Sequence, residues 1–388
     1  MYPQYLRFVS SIGAIWFPER EALVVNSFNA PLSVVILAAG EGTRMKSARP
    51  KPLIKLCGET MLGHILDVLD ELAAIDRVIV VVGHKEEEIK EEIFETYKGP
   101  HEIVFVTQDD LRGTGDALSV AMTRVTDPMT ELHGRRGGVL VLPGDVPLLD
   151  SDTLIELIET HFSANYAATL LSAELDEPYG YGRVVRSKSG DIQAVIEERD
   201  ASASVRQISE INTSLYIFDS ATVSPALRRI SPDNAQGEYY LTDVIEVLAS
   251  AGYSIGSCLA KDVTTVMGVN DRQQLSQVEK IMRDRINASW MKSGVTIVDP
   301  ANTYVDRSVR IGTDTTLWPG VILSGSTVVG SGCEIGPATR LIDCVVGDSV
   351  QMPYVEARNA YIGEGVKVGP FVELLPGSKV ILGSESDA

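Results

Sequence analysis

Val305, Ile311, Leu317, Leu323, Val329, Ile335 and Leu341 stand at an unbroken step of six. Few patterns constrain a fold as tightly. At 100° per residue, a step of six rotates side chains off any single helical face, so the run does not form one amphipathic helix. A short strand repeated every six residues, with one aliphatic side chain turned inward each time, builds a hexapeptide parallel β-helix with three units per coil. Several of these aliphatics are followed directly by glycine, as at Ile311-Gly312, Val329-Gly330 and Ile335-Gly336. The phase then slips: Val346 and Met352 keep one register, and Ile362, Val368, Leu374 and Val380 another. At roughly 18 residues per coil, the span from Val305 to Val380 predicts about four coils.

The chain before this repeat has a different grammar. From Ser33 to about Phe218, apolar runs alternate with helical patterns. The run Val34 to Ala39 has the continuous apolar character of a strand buried on both faces. Met61, Ile65, Leu66, Val68, Leu69 and Leu72 then recur at helical spacing, with Thr60 placed to cap. Strands are predicted at Arg77 to Gly83, Ile103 to Val106 and Gly138 to Leu142, with helices at about Lys85 to Tyr97 and Gly115 to Val125. Alternation with short connections implies a parallel sheet covered on both faces, the doubly wound, Rossmann-like α/β class. Ligands of such sheets sit beyond the carboxyl ends of the strands, where Gly40, Gln108 and Asp145 fall. The stretch Tyr166 to Phe218 reads as hairpins that extend the sheet. Leu275, Val278, Met282 and Ile286 share one face of a connecting helix. The expected organisation is an extension over 1–31, an α/β domain over 32–271, a linker helix over 272–292 and a short β-helix over 293–388.

A net charge of -19 and a pI near 4.7 argue against broad binding to nucleic acid or anionic membranes. An anionic ligand therefore needs a locally basic pocket. Cys57, Cys258, Cys333 and Cys344 are scattered, with no paired or zinc-like spacing, which points to free thiols in a reducing, cytoplasmic setting. Phe8 to Phe17 resembles a weak signal-peptide core without a small-x-small cleavage site, so a loosely ordered extension is expected. No segment reaches the roughly 20 apolar residues of a membrane helix.

The basic pocket has a candidate. After the first strand, Gly40 and Gly42 flank one residue, so the backbone can turn tightly and bring N–H groups to an anion. Arg44, Lys46, Arg49, Lys51 and Lys55 follow, with no acidic residue between Gly42 and Gly58. The segment reads as a strand, a glycine loop and a basic arm that hold a polyphosphate; an ordinary βα turn with a solvated loop is the alternative. It is neither a Rossmann fingerprint, since the third glycine is missing, nor a Walker A loop, which needs GK[ST].

With its neighbours, however, LAAGEGTRM followed by Pro50-Lys51 resembles the signature of the sugar-1-phosphate nucleotidyltransferases, in detail that of bacterial N-acetylglucosamine-1-phosphate uridylyltransferases. The resemblance runs from about Ser33 to Gly377 and includes, in order, Gln108 with Gly113-Thr114-Gly115, Gly144-Asp145-Val146-Pro147, Gly180-Tyr181-Gly182-Arg183, Glu197, Glu210-Ile211-Asn212-Thr213, Asn234 to Tyr240, and Gly268-Val269-Asn270. It implies that a sugar phosphate attacks the α-phosphorus of UTP in line, without a covalent enzyme intermediate. Leu37, Ala38, Ala39 and Gly40 would meet uracil and ribose through backbone groups, completed by Gln108, Gly113 and Thr114. Arg44 and Lys51 would hold the triphosphate. Asp145, beside Gly144, would ligate Mg²⁺ together with Asn270. Gly182, Glu197 and Asn212 would bind the sugar hydroxyls and the N-acetyl group. The implied partners are UTP and N-acetylglucosamine 1-phosphate, with a homotrimer formed through the β-helix.

Some residues depart from the pattern. Pro143 stands where tyrosine is common and Asp116 where histidine is frequent; both should tune nucleotide contacts without removing a ligand. The full bifunctional enzymes carry a longer β-helix with a histidine base. Here His64, His84, His101, His133 and His161 all precede the repeat, and Glu373-Leu374-Leu375 replaces an expected basic segment. Loss of acetyl transfer is the expectation. Retained acetyltransferase activity and a nucleotide-binding regulator without turnover are the alternatives.

Overall fold

The computed structural model describes residues 30–72, 75–125 and 137–382. The extension predicted over 1–31 therefore lies, but for its last two residues, outside the described residues, as does His133. The chain forms two compact units, residues 30–54 with 60–274 and residues 55–59 with 275–382.

The first unit is built on strands β1 (Leu32–Leu37), β2 (Ile75–Val82), β3 (Ile103–Thr107), β4 (Gly138–Pro143), β5 (Ala168–Glu174), β6 (Arg183–Arg186), β7 (Ile192–Ile196), β8 (Glu210–Asp219) and β9 (Ile255–Leu259). Their order is β9-β5-β8-β4-β1-β2-β3, with the β6–β7 hairpin attached to β8. The central strand β1 pairs in parallel with β2 and β4, Val35 facing Ile79 on one side and Val141 on the other. That position explains its unbroken apolar sequence.

Each face of the sheet has its own core. Val34, Ile36, Val80 and Leu142 pack on one side with residues of helices α1 (Met61–Leu69), α2 (Glu86–Thr96) and α4 (Ser151–Ser163). Val35, Ile79, Val81 and Val141 pack on the other with α3 (Thr114–Ala121), α5 (Ser220–Leu227) and α6 (Asp243–Ser250). Adjacent residues of β1 thus serve opposite layers, as the two-residue strand period requires. Thr60 caps α1 as expected, accepting from the Gly63 N–H at 2.9 Å, and the structure adds Asp150 as the cap of α4, accepting from the Thr153 N–H at 2.8 Å. The sheet is parallel where strands and helices alternate and is extended by the hairpins expected over Tyr166 to Phe218. Strand β8 runs antiparallel to both β4 and β5, because the hairpin before it reverses the chain.

Helix α7 (Arg272–Lys292) leads into the second unit, where short strands form three parallel sheets. Each strand pairs with the one a coil later: Val305 with Leu323 and Leu323 with Leu341, Ile311 with Val329, and Leu317 with Ile335. This is the parallel β-helix predicted from the step of six. The aliphatics of the step are almost fully buried, Ile311, Leu317, Leu323, Val329, Ile335 and Leu341 at 0% exposure. A second inward row, two residues earlier in each unit, consists of smaller side chains such as Val309, Thr315, Val321, Thr327 and Cys333. Thr315 uses its burial well, donating to the Gly330 carbonyl at 2.7 Å and accepting from the Cys333 N–H at 3.1 Å. The register slip after Leu341 comes from five-residue steps: Val346, Ala357 and Ile362 each stand five after the preceding inward residue. Of the four free cysteines, Cys258, Cys333 and Cys344 are buried.

Candidate active site

Beyond the carboxyl ends of β1, β3 and β4 the first unit opens into a cleft of about 750 Å³. Its walls include Leu37, Ala38, Ala39, Gly40, Lys51, Gln108, Gly113, Thr114, Gly144, Asp145, Gly182, Glu197, Asn212 and Asn270, fourteen residues that the sequence singled out.

The loop after β1 is shaped by Gly42, whose φ of 62° is left-handed and whose place a Cβ could not share, since it would come within 2.7 Å of the Lys51 Cβ. The short turn Thr43–Met45 follows, anchored by the buried Met45 with Arg44 facing outward. Across the cleft, the Gly144 N–H donates to the Leu37 carbonyl at 2.9 Å, and the Asp145 carbonyl accepts from the Val269 N–H at 2.9 Å. These backbone bonds bring three distant loops to one point. There the Lys51 ammonium donates to the Asp145 carboxylate and, at 2.9 Å, to the Asn270 Oδ1, which also accepts from the Arg44 guanidinium at 3.0 Å. Asn270 is itself held, its N–H bonded to the Gln274 Oε1 at 2.7 Å, while the Arg272 Nε reaches the Met45 carbonyl at 3.2 Å.

The basic arm is less uniform than its sequence suggests. Lys51 lines the cleft and meets Arg44 at the Asn270 side chain, whereas Arg49 pairs with Glu92 at 2.6 Å. Of the five cations, Arg44 and Lys51 are the pair that these hydrogen bonds bring together.

On another wall, Gln108 is 4% exposed and its amide nitrogen donates to the Gly113 carbonyl at 3.1 Å and the Asp116 carboxylate at 2.8 Å. Thr114 opens α3 and its hydroxyl accepts from the Leu241 N–H at 3.1 Å, while Gly115 donates to the Tyr239 carbonyl. The segment from Asn234 to Tyr240 thereby buttresses the wall.

The third wall comes from the β6–β8 region. The Asn212 N–H donates to the Gly182 carbonyl at 2.9 Å, and its side-chain oxygen accepts from Ser214, whose φ of 63° marks an irregularity in β8. Glu197 accepts from the Thr242 hydroxyl at 3.2 Å, and burial, reinforced by Asp243 and Asp200, pushes its carboxyl above the usual range. Burial and then the charge of Asp145 raise the Tyr181 phenol in the same way. The Gly-Tyr-Gly-Arg motif by itself gives Arg183 no role. Arg183 is 2% exposed, bonds Glu198 at 2.8 Å and the Tyr181 carbonyl, and so pins the loop that presents Tyr181 and Gly182. The signal was available in the arginine that closes the Gly-Tyr-Gly-Arg run.

The chain resembles known proteins over most of its length. Residues 34–212 match the MobA-like NTP transferase domain. The bifunctional protein GlmU of Thermoanaerobacter pseudethanolicus is 43% identical over 345 residues, covering 89% of this chain and 72% of that protein. The chain belongs to the GlmU family. GlmU of Caldanaerobacter subterraneus is 42% identical over 346 residues, with the same coverage, and GlmU of Mycobacterium bovis is 41% identical over 353, covering 91% of this chain and 70% of that one. As a member of the GlmU family, the chain is a sugar-1-phosphate nucleotidyltransferase, acting on a nucleotide and a sugar phosphate. Among the described residues no helix is long and apolar enough to cross a membrane.

Proposed function

We propose that the cleft transfers UMP from UTP to N-acetylglucosamine 1-phosphate, giving UDP-N-acetylglucosamine and pyrophosphate, with Mg²⁺ as cofactor. The observation that carries this reading is the cluster of Lys51, Arg44, Asp145 and Asn270 at the ends of β1 and β4.

The donor chemistry of this cluster supports Mg²⁺ as the cofactor. Among the described residues no three histidine, cysteine or acidic side chains gather as a ready-made metal cage. Yet the Asp145 carboxylate and the Asn270 oxygen converge on one cation, the Lys51 ammonium. Two hard oxygens that meet at the Lys51 ammonium, one of them shared with Arg44, suit an ion that takes its other ligands from water and phosphate. Once bound there, Mg²⁺ would supply charge neutralisation to the polyphosphate.

The protein's remaining work is positioning. A phosphate oxygen of the sugar phosphate forms a bond to the α-phosphorus as the bond to pyrophosphate breaks, so no side-chain nucleophile is required. Arg44 and Lys51 stabilise the charge that collects on the leaving group. The backbone from Leu37 to Gly40, with Gln108, Gly113 and Thr114, receives uracil and ribose. Gly182, Glu197 and Asn212 receive the sugar; with its oxygen engaged by Ser214, Asn212 offers amide hydrogens to an acyl carbonyl.

The reading is tested by pyrophosphate release with Mg²⁺ from UTP and a panel of sugar 1-phosphates. N-Acetylglucosamine 1-phosphate should be turned over best, and Asp145→Ala should lower kcat by about 10³-fold, as expected for loss of a metal and charge-positioning group. Full activity of Asp145→Ala, or no release from any UTP and sugar-phosphate pair, would sink it.

A further inference from the structure

Gln108 is an amide whose orientation is fixed by chemistry. Its nitrogen faces two groups that can only accept, the Gly113 carbonyl at 3.1 Å and the Asp116 carboxylate at 2.8 Å. Turning the amide over would place oxygen against oxygen twice, at a side chain that is 4% exposed. Both amide hydrogens are therefore committed, and the oxygen is what Gln108 can offer a ligand in the cleft it lines. The rest of the residue is equally constrained, because its N–H is bonded to the Val82 carbonyl at 2.8 Å. Asp116 stands in the first turn of α3, and Gly115 beside it is tied to Tyr239, so the carboxylate is carried by anchored backbone.

We propose that Asp116 is a positioning residue for base selection: it locks Gln108 as an acceptor, so the cleft admits a pyrimidine that presents a ring N–H and rejects one that presents a ring lone pair. Uracil and thymine carry such an N–H at N3, whereas cytosine has a lone pair there and would meet the Gln108 oxygen with another acceptor. Asp116 itself need not touch the base. Discrimination arises from an unpaired polar contact in the wrong complex, which is the more selective way to choose between isosteric rings. This inference rests on the proposed uridylyl transfer, and in particular on Gln108 facing the base.

The experiment compares kcat/KM for UTP, dTTP and CTP in pyrophosphate release, alongside calorimetric binding of each nucleotide, in the wild type, Asp116→Ala, Asp116→Asn and Gln108→Ala. The wild type should prefer UTP to CTP by at least ~100-fold, the scale expected when a site built around one hydrogen bond meets a mismatched partner. Asp116→Ala frees one constraint on the amide and should shrink that preference about 10-fold, more through the nucleotide KM than through kcat. Asp116→Asn, whose side-chain oxygen can still accept, should restore most of it. A uniform fall in activity with an unchanged UTP-to-CTP ratio in Asp116→Ala would show a merely structural role and overturn the proposal. If Gln108→Ala levels UTP and CTP while Asp116→Ala does not, the positioning role alone fails. If the wild type itself does not distinguish them, the assignment of Gln108 to the base fails first.

Discussion

The two units solve opposite problems. In the β-helix every inward residue has an equivalent one coil away, as Leu323 has in Val305 and Leu341. In the α/β unit the residues at the centre of the cleft have no equivalents, and they come from far apart: Lys51 meets Asp145 across 94 positions and Asn270 across 219. Repetition spreads stability over many small, similar contacts. The cleft concentrates chemistry in single side chains held by backbone bonds between loops. Damage to the repeat should therefore appear as lost stability, and damage to the cleft loops as lost rate.

The largest effect that separates the two is expected from Leu323→Ala. Leu323 is fully buried and paired on both sides, so truncation should cost about 2–4 kcal/mol in transfer energy and cavity. Denaturant unfolding should show that loss in the transition of the β-helix, while kcat per folded molecule at low temperature stays within twofold of wild type. A change below about 1 kcal/mol would mean that the coil collapses around the gap, and a large fall in kcat would break the separation between the units.

The same contrast governs what could be read from the sequence. The step of six exposed the β-helix and most of its core, because each repeat states the same physical requirement again. It faltered at Ala357, which is fully buried but too small to mark the step. The slip itself is a property of turns: Asp343, Tyr354 and Asn359 take left-handed φ values of 54°, 53° and 43° inside the three five-residue steps. Nothing in their side chains announces a shortened turn, since aspartate, serine and even alanine hold comparable conformations at Asp314, Ser349 and Ala338 in six-residue steps. In the α/β unit, strands and glycine turns were legible, and resemblance led to the lining residues. The hairpins that turn β8 antiparallel were legible too, but not which strands it joins, because an apolar strand does not name its neighbours. Nor could charge counting tell that Arg49 faces Glu92 while Lys51 faces Asp145; that depends on which loop each reaches.

A smaller effect probes the glycine turn. Gly42→Ala combines a left-handed backbone with a contact of 2.7 Å to the Lys51 Cβ, so it should displace the lysine that bridges Asp145 and Asn270. A fall in kcat of about 10-fold to 100-fold is expected from such misplacement of a positioning group. Gly237→Ala is the matched control: its φ is 68°, but no atom lies within 4 Å of the added carbon. It should carry a similar backbone cost of about 1 kcal/mol and less loss of rate. Equal kinetic losses in the two variants would assign the effect to backbone strain and remove Lys51 from the explanation.

The smallest effect concerns pH. Asp243, at the start of α6 beside the Glu197 wall, is pushed up to about 6 by burial and then by Glu246 and Asp200. Between the ordinary carboxylate value near 4 and that raised value, the folded protein binds a proton that the unfolded chain has lost, so this group makes stability fall as pH rises. His161 acts in the opposite sense: burial pushes it down to about 4, and the stability of its neutral form is lost as pH falls from about 6.5. The wild-type profile is a sum of the two and does not isolate either. The difference between Asp243→Asn and wild type removes the His161 contribution and reports Asp243 together with its push on Glu197, which has the same sign. The variant should gain about 1 kcal/mol on wild type between pH 4 and pH 7, discounted for the partial exposure of Asp243. Its absolute stability is the poorer readout, since removing an acid from the first turn of a helix costs about 0.5 kcal/mol at any pH where the acid is ionised. A difference that stays flat from pH 4 to pH 7 would place the strain around Glu197 elsewhere than in Asp243.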